Sequence, residues 1–117
     1  MSILKFFYDE NTETATWMAG GVDTKIRNIK QAIYDPKRNL IVALSIPDTL
    51  PQLKIFDEHG QAAEILAPRD SDFQYLLPDN SKGVLIICSE TSDVGTFDYK
   101  YELVLPEMRL KKIGRAY

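Results

Sequence analysis

The stretch Ser81–Leu105 reads Ser-Lys-Gly, then Val84-Leu85-Ile86-Ile87-Cys88, a polar break from Ser89 to Gly95, and then Thr96-Phe97-Asp98-Tyr99-Lys100-Tyr101-Glu102-Leu103-Val104-Leu105. The first run is short, continuously apolar and rich in β-branched residues, the composition of a strand covered on both faces. The second alternates with period two. Phe97, Tyr99, Tyr101 and Leu103 fall on one side and Asp98, Lys100 and Glu102 on the other, so one face is dry and one is wet. Adjacent strands of these two kinds form the central hairpin of a sheet protein.

The rest of the chain repeats that grammar. Ile3–Tyr8 and Thr12–Met18, the latter with threonines at 12, 14 and 16, read as a hairpin ended by Gly20-Gly21, a pair suited to a tight reversal. Between 22 and 33 two periods compete. Val22, Ile26, Ile29 and Ile33 keep helical spacing behind Asp23 or Thr24 as a cap, while Asn28–Tyr34 alternates as a strand, and the strand is preferred because it feeds the turn Asp35-Pro36-Lys37-Arg38-Asn39. Leu40–Ile46 is a second two-sided apolar run. Pro47 and Pro51 bracket a loop. Leu53–Phe56 and Gln61–Leu66 flank the turn Asp57-Glu58-His59-Gly60, and Phe73–Leu77 is a further strand.

Short strands at this spacing predict an all-β fold, an antiparallel β-sandwich of about eight or nine strands, with a small antiparallel barrel as the alternative and a short helix near 22–33 as a variant. Tyr34-Asp35-Pro36 ahead of Asn39-Leu40-Ile41-Val42 resembles a propeller blade, yet a chain this short holds two or three blades at most and cannot close a ring, so no family is recognised. At 117 residues the chain is expected to be one domain, 1–117, in which 107–117 is either an edge strand or a mobile basic tail. Its 44% hydrophobic and 26% charged residues are the balance of an ordinary globular protein. Leu40–Ile46 falls far short of the ~18–20 apolar residues of a membrane span. Met1–Lys5 lacks the features of a secretory signal, so a cytoplasmic address is expected.

No reactive set emerges. His59 is the only histidine and lies in a turn, and a triad there would need Ser71 or Ser92 from other loops. Cys88, the only cysteine, reads as a buried inert thiol. One His and one Cys cannot make a structural zinc site, Asp70-Ser71-Asp72 lacks the rest of a calcium loop, and Gly20-Gly21 lacks the sequel of a phosphate loop. No metal or cofactor is therefore expected, and the chain is read as a non-enzyme. Lys100 between Tyr99 and Tyr101 shares its face with Asp98 and Glu102, which argues against nucleic acid.

Charge patterning carries the functional expectation. The net charge is −3, yet from Asp48 to Asp98 ten acids stand against three bases, a local net of −7, while Arg109, Lys111, Lys112 and Arg115 make the tail basic. A negative rim steers a basic partner. The chain is expected to be an acidic, cytoplasmic protein-binding domain, in its most specific form an immunity protein that inhibits a basic toxin such as a nuclease. The partner-binding residues expected are Asp57, Glu58, Asp70, Asp72, Glu90 and Asp93, with Tyr75 as the anchor. The alternative is a carbohydrate- or ligand-binding β-sandwich module with Trp17, Tyr75 or Tyr99 as a stacking platform.

Overall fold

Two-residue turns and residues in the left-handed region cut the chain into short strands, all paired antiparallel. The computed structural model describes residues 2–46 and 50–116; Pro47, read as the first bracket of the loop, and Asp48 lie outside the described residues. Leu4–Asp9 (β1), Thr14–Ala19 (β2) and Val22–Ile26 (β3) form a first sheet in the order β1-β2-β3. Ile29–Asp35 (β4), Leu40–Ser45 (β5), Gln52–Phe56 (β6) and Ala62–Ile65 (β7) form a middle sheet in chain order. Ser71–Asp79 (β8), Gly83–Ser92 (β9), Gly95–Val104 (β10) and Arg109–Arg115 (β11) form the last sheet, again in chain order.

The all-β, face-packed expectation holds in its general form. In detail the described residues form eleven strands in three layers. The helix considered near 22–33 is replaced by β3 and β4. Gly20 (φ +58°) and Gly21 (φ +77°) supply the two positive φ angles of a tight hairpin turn, and the register from Ala19↔Val22 to Ala15↔Ile26 follows from it. Asn28 (φ +61°) then breaks the run before β4. The helical spacing was a coincidence of two strand patterns, as the 65% exposure of Val22 shows. The polar break at 89–95 is also mostly strand: the ladder runs through Glu90↔Phe97 and Thr91↔Thr96, leaving Asp93-Val94 as the turn. The basic tail is edge strand β11, paired with β10 from Leu103↔Leu110 to Tyr99↔Arg115.

The middle sheet is covered on both sides, which explains the uninterrupted apolar run of β5. Leu40, Val42 and Leu44 enter a core with Leu53, Ile55, Phe73, Leu76, Val84, Ile86, Tyr101 and Leu103, between the middle and last sheets. Ile41 and Ala43 enter a second core with Ile3, Ala15, Trp17, Ile29, Ala32 and Phe56, between the first and middle sheets. The three alanines there leave room for the indole of Trp17, whose ring meets Phe56 edge-on at 5.9 Å.

Between sheets the backbones approach along their leading strands: β1 and β2 against β4, β4 against β8 and β9, and β5 against β8. The layers thus meet along one side and fan apart on the other. At one end the turn between β4 and β5 is latched to the last sheet. Asp35, fully buried, accepts from Arg38 Nε at 2.8 Å, and the same guanidinium donates to Leu103 O (2.8 Å) and Lys82 O (2.9 Å). A turn residue by sequence is therefore the buried centre of an inter-sheet tie.

Candidate interaction surface

At the end away from this latch, β9 and β10 are ten residues each, whereas the strands of the middle sheet have four to seven, and the hairpin ends in the exposed Asp93-Val94 turn. Asp70 is brought beside that hairpin because its carbonyl accepts from Thr91 N at 3.2 Å. One step in, Asp72, Ser89 and Asp98 form a row across β8, β9 and β10, and Ser89 Oγ donates to Asp98 Oδ1. Asp70, Asp72, Asp93 and Asp98 therefore share one end of the last sheet.

That end is less negative than the sequence count implies. Strand β11 returns the basic tail to it. Lys112 Nζ donates to Glu90 Oε2 at 2.6 Å and lies 4.1 Å from the centroid of the Tyr99 ring, and Arg115 lies 4.5 Å from that of Phe97. The hydrogen bond to Glu90 is the main cause of the raised pKa of Lys112. Glu90 is thus on the opposite face from Asp72 and already holds a cation. Arg69 stands 3.9 Å from Asp70, but both side chains are largely exposed, so that pair contributes little.

The other expected residues are elsewhere. Asp57 and Glu58 form the turn between β6 and β7, which antiparallel pairing puts at the latch end of the molecule. Asp57 Oδ1 accepts from His59 N (2.9 Å) and Gln61 N (3.0 Å), so it holds its own turn, and Glu58 lies 3.5 Å from His59 Nε2. Tyr75 stands midway along β8. Ser71 and Ser92 are at the opposite end of the fold from His59. Cys88 is fully buried, its thiol pushed up to about 12 by burial and, secondarily, by the charge of Asp72. Trp17 is buried and presents no stacking face.

The outward face of the last sheet carries the polar side of the period-two run, Asp98, Lys100 and Glu102. Its rows run Asp72-Ser89-Asp98, Tyr75-Ile87-Lys100, and Leu77-Leu85-Glu102-Lys111. Ile87 and Leu85 are buried yet belong to neither core; Tyr75 and Leu77, 38% and 39% exposed, flank them. The continuous apolar run 84–88 predicts a strand covered on both faces. Among the described residues no second sheet covers that face.

Among the described residues no group of three or more His, Cys, Asp or Glu side chains is placed to hold a metal, and no helix is long and apolar enough to cross a membrane. Compared with known protein families, characterised proteins and solved structures, the chain matches none.

Proposed function

We propose that the chain is a non-enzymatic binding domain that docks a basic protein through the projecting acidic end of its last sheet, and that in its most specific form it is a cytoplasmic immunity protein neutralising a basic toxin such as a nuclease. The observation that supports this is the convergence of Asp70, Asp72, Asp93 and Asp98, from three different segments, on one end of a rigid sheet. Carboxylates arranged so speed encounter with a cationic cleft and occupy sites shaped for phosphate. Asp57 and Glu58, at the opposite end, drop out of this contact, and Glu90 acts indirectly by holding Lys112 away from the aspartates. The test is a tagged pull-down from the native cell at low and high salt, with mass spectrometry of what is retained, repeated with Asp70→Lys, Asp72→Lys and Asp93→Lys combined. A basic protein retained at low salt and lost with the triple reversal is the expected result. Retention indifferent to salt and to the reversal, or retention of acidic proteins alone, would overturn the reading.

A further inference from the structure

On the fanned side each sheet ends in an edge strand: β3, β7 and β11. Two of these edges carry the charges and irregularities that discourage pairing with another chain. Strand β11 has Lys111, Lys112 and a bulge at Ile113, between the pairs Lys100↔Gly114 and Tyr101↔Lys112, and β3 has Asp23 and Lys25. Strand β7, Ala-Ala-Glu-Ile over 62–65, has no lysine, no proline and no bulge. Ala62, Ala63 and Glu64 are exposed, and Leu66, which follows the strand, is 79% exposed. We propose that this edge binds an extended peptide of a partner protein as a fifth strand beside the four of the middle sheet, a peptide in which a lysine or arginine stands between two apolar residues.

The ladder shows which backbone groups are free. Asp57 N donates to Gln61 O at 3.0 Å, so Asp57 and Gln61 form a bonded pair. Bonded and non-bonded pairs alternate along an antiparallel ladder, so Ile55↔Ala63 and Leu53↔Ile65 are bonded, and Phe56↔Ala62 and Lys54↔Glu64 are not. Ala62 and Glu64 therefore turn their N–H and C=O groups away from β6, to the side on which no strand of the described residues pairs. An incoming strand bonds to those groups, and its main chain supplies affinity while alternate side chains supply specificity.

Side chains of the added strand alternate as those of β7 do. Beside Ala63 and Ile65 they point towards the last sheet, because Leu53, Ile55 and Ile65 belong to the core shared with it. There the two sheets splay into a groove of about 400 Å³ lined by Ile65, Leu66, Pro68, Met108 and Leu110, and Met108 and Leu105 continue it towards the latch beside Ala63. Apolar side chains fit that lining. The residue between them stands beside Glu64 on the other face of the sheet. Glu64 makes no ion pair among the described residues, although Lys54 is opposite it across the ladder, and a cation beside it on the new strand forms a favourable cross-strand pair. Asp57 and Glu58 line the latch end of the same groove, where Arg38 is already held by Asp35, and Arg109 stands on the β11 wall across from β7. The lining next to β7 is thus negative. Asp70, Asp72 and Asp93 take no part, so this contact and the acidic end can each fail without the other.

A phage library of random dodecapeptides, panned on the purified full chain, tests this, with the enriched peptides then synthesised and their binding measured by fluorescence anisotropy. Enriched peptides are expected to carry Lys or Arg between two apolar residues. Ala62→Pro removes an outward N–H and leaves the bonds to β6 in place, so the urea midpoint is kept while those peptides bind about tenfold more weakly or worse. Glu64→Lys keeps the backbone edge and reverses the charge preference: the basic peptides lose about tenfold in affinity, and panning on that variant selects Asp or Glu at the middle position. No enrichment, enriched peptides without the alternation, equal binding to Ala62→Pro and wild type, or an unchanged preference in Glu64→Lys overturns the proposal. Binding that survives Ala62→Pro and is lost with Asp70→Lys, Asp72→Lys and Asp93→Lys combined overturns it as well, by moving the peptide to the acidic end.

Discussion

Arg38→Ala should be among the most damaging single substitutions outside the two cores. Asp35 is fully buried, and its carboxylate is met by Arg38 Nε at 2.8 Å and by the backbone N–H groups of Lys37 (3.1 Å) and Arg38 (3.3 Å). Removing one partner of a buried ion pair costs about 3–5 kcal/mol, because the remaining charge is stranded. The guanidinium side chain is 25% exposed, so water reaches part of the vacated space and places the loss near the lower limit, about 3 kcal/mol. The Leu103 and Lys82 carbonyls lose a donor as well, but they too can be rehydrated. With a urea slope of about 1.5 kcal/mol/M for a domain of this size, the midpoint falls by about 2 M. Trp17, the only tryptophan and buried, reports the transition by fluorescence. The double variant Asp35→Ala with Arg38→Ala, which leaves no stranded charge, should lose less than the two single losses combined. A midpoint shift under about 0.5 M for Arg38→Ala, or strict additivity in the double variant, would refute the tie between the middle and last sheets as the source of this stability.

Three further outcomes follow from the same geometry. Gly83 has φ +84°, and a Cβ there would press on the Asp35 carboxyl, with Cγ only 2.8 Å away, so Gly83→Ala should lower stability by about 2 kcal/mol or more in the same urea assay. Cys88 should resist a thiol-specific reagent at pH 8 in the native state and react at once in denaturant; labelling of the native protein at the rate of a free thiol would contradict its burial. Asp79 accepts from Lys82 N (2.8 Å), from the Ser81 hydroxyl (2.9 Å) and from Ser81 N (3.0 Å), and the bond from Lys82 is the main reason its pKa is lowered from 3.8. A depressed folded-state value means that its stabilising effect is present above the unfolded value and is lost as the pH falls below 3.8 through the folded one; an NMR titration of Asp79 with a midpoint at or above 3.8 would contradict this.

Local pattern by itself determined that the chain is β throughout, where most strands lie and how their faces alternate. Those properties depend on neighbours in sequence: the period-two run 97–103, the turn at 57–60 and the glycine pair at 20–21 each act over a few residues. The same pattern could not count layers. An apolar run looks alike whether a second sheet covers its other side, as at Ile41 and Ala43, or only neighbours in the same sheet flank it, as Tyr75 and Leu77 flank Ile87 and Leu85. Nor could a charge tally show that Asp57 and Glu58 sit at the opposite end from Asp70 and Asp93, that β11 returns Lys112 to Glu90, or that Arg38 reaches the carbonyls of Lys82 and Leu103. Those pairings join residues far apart in the chain, and only the stacking of three sheets decides which of them meet.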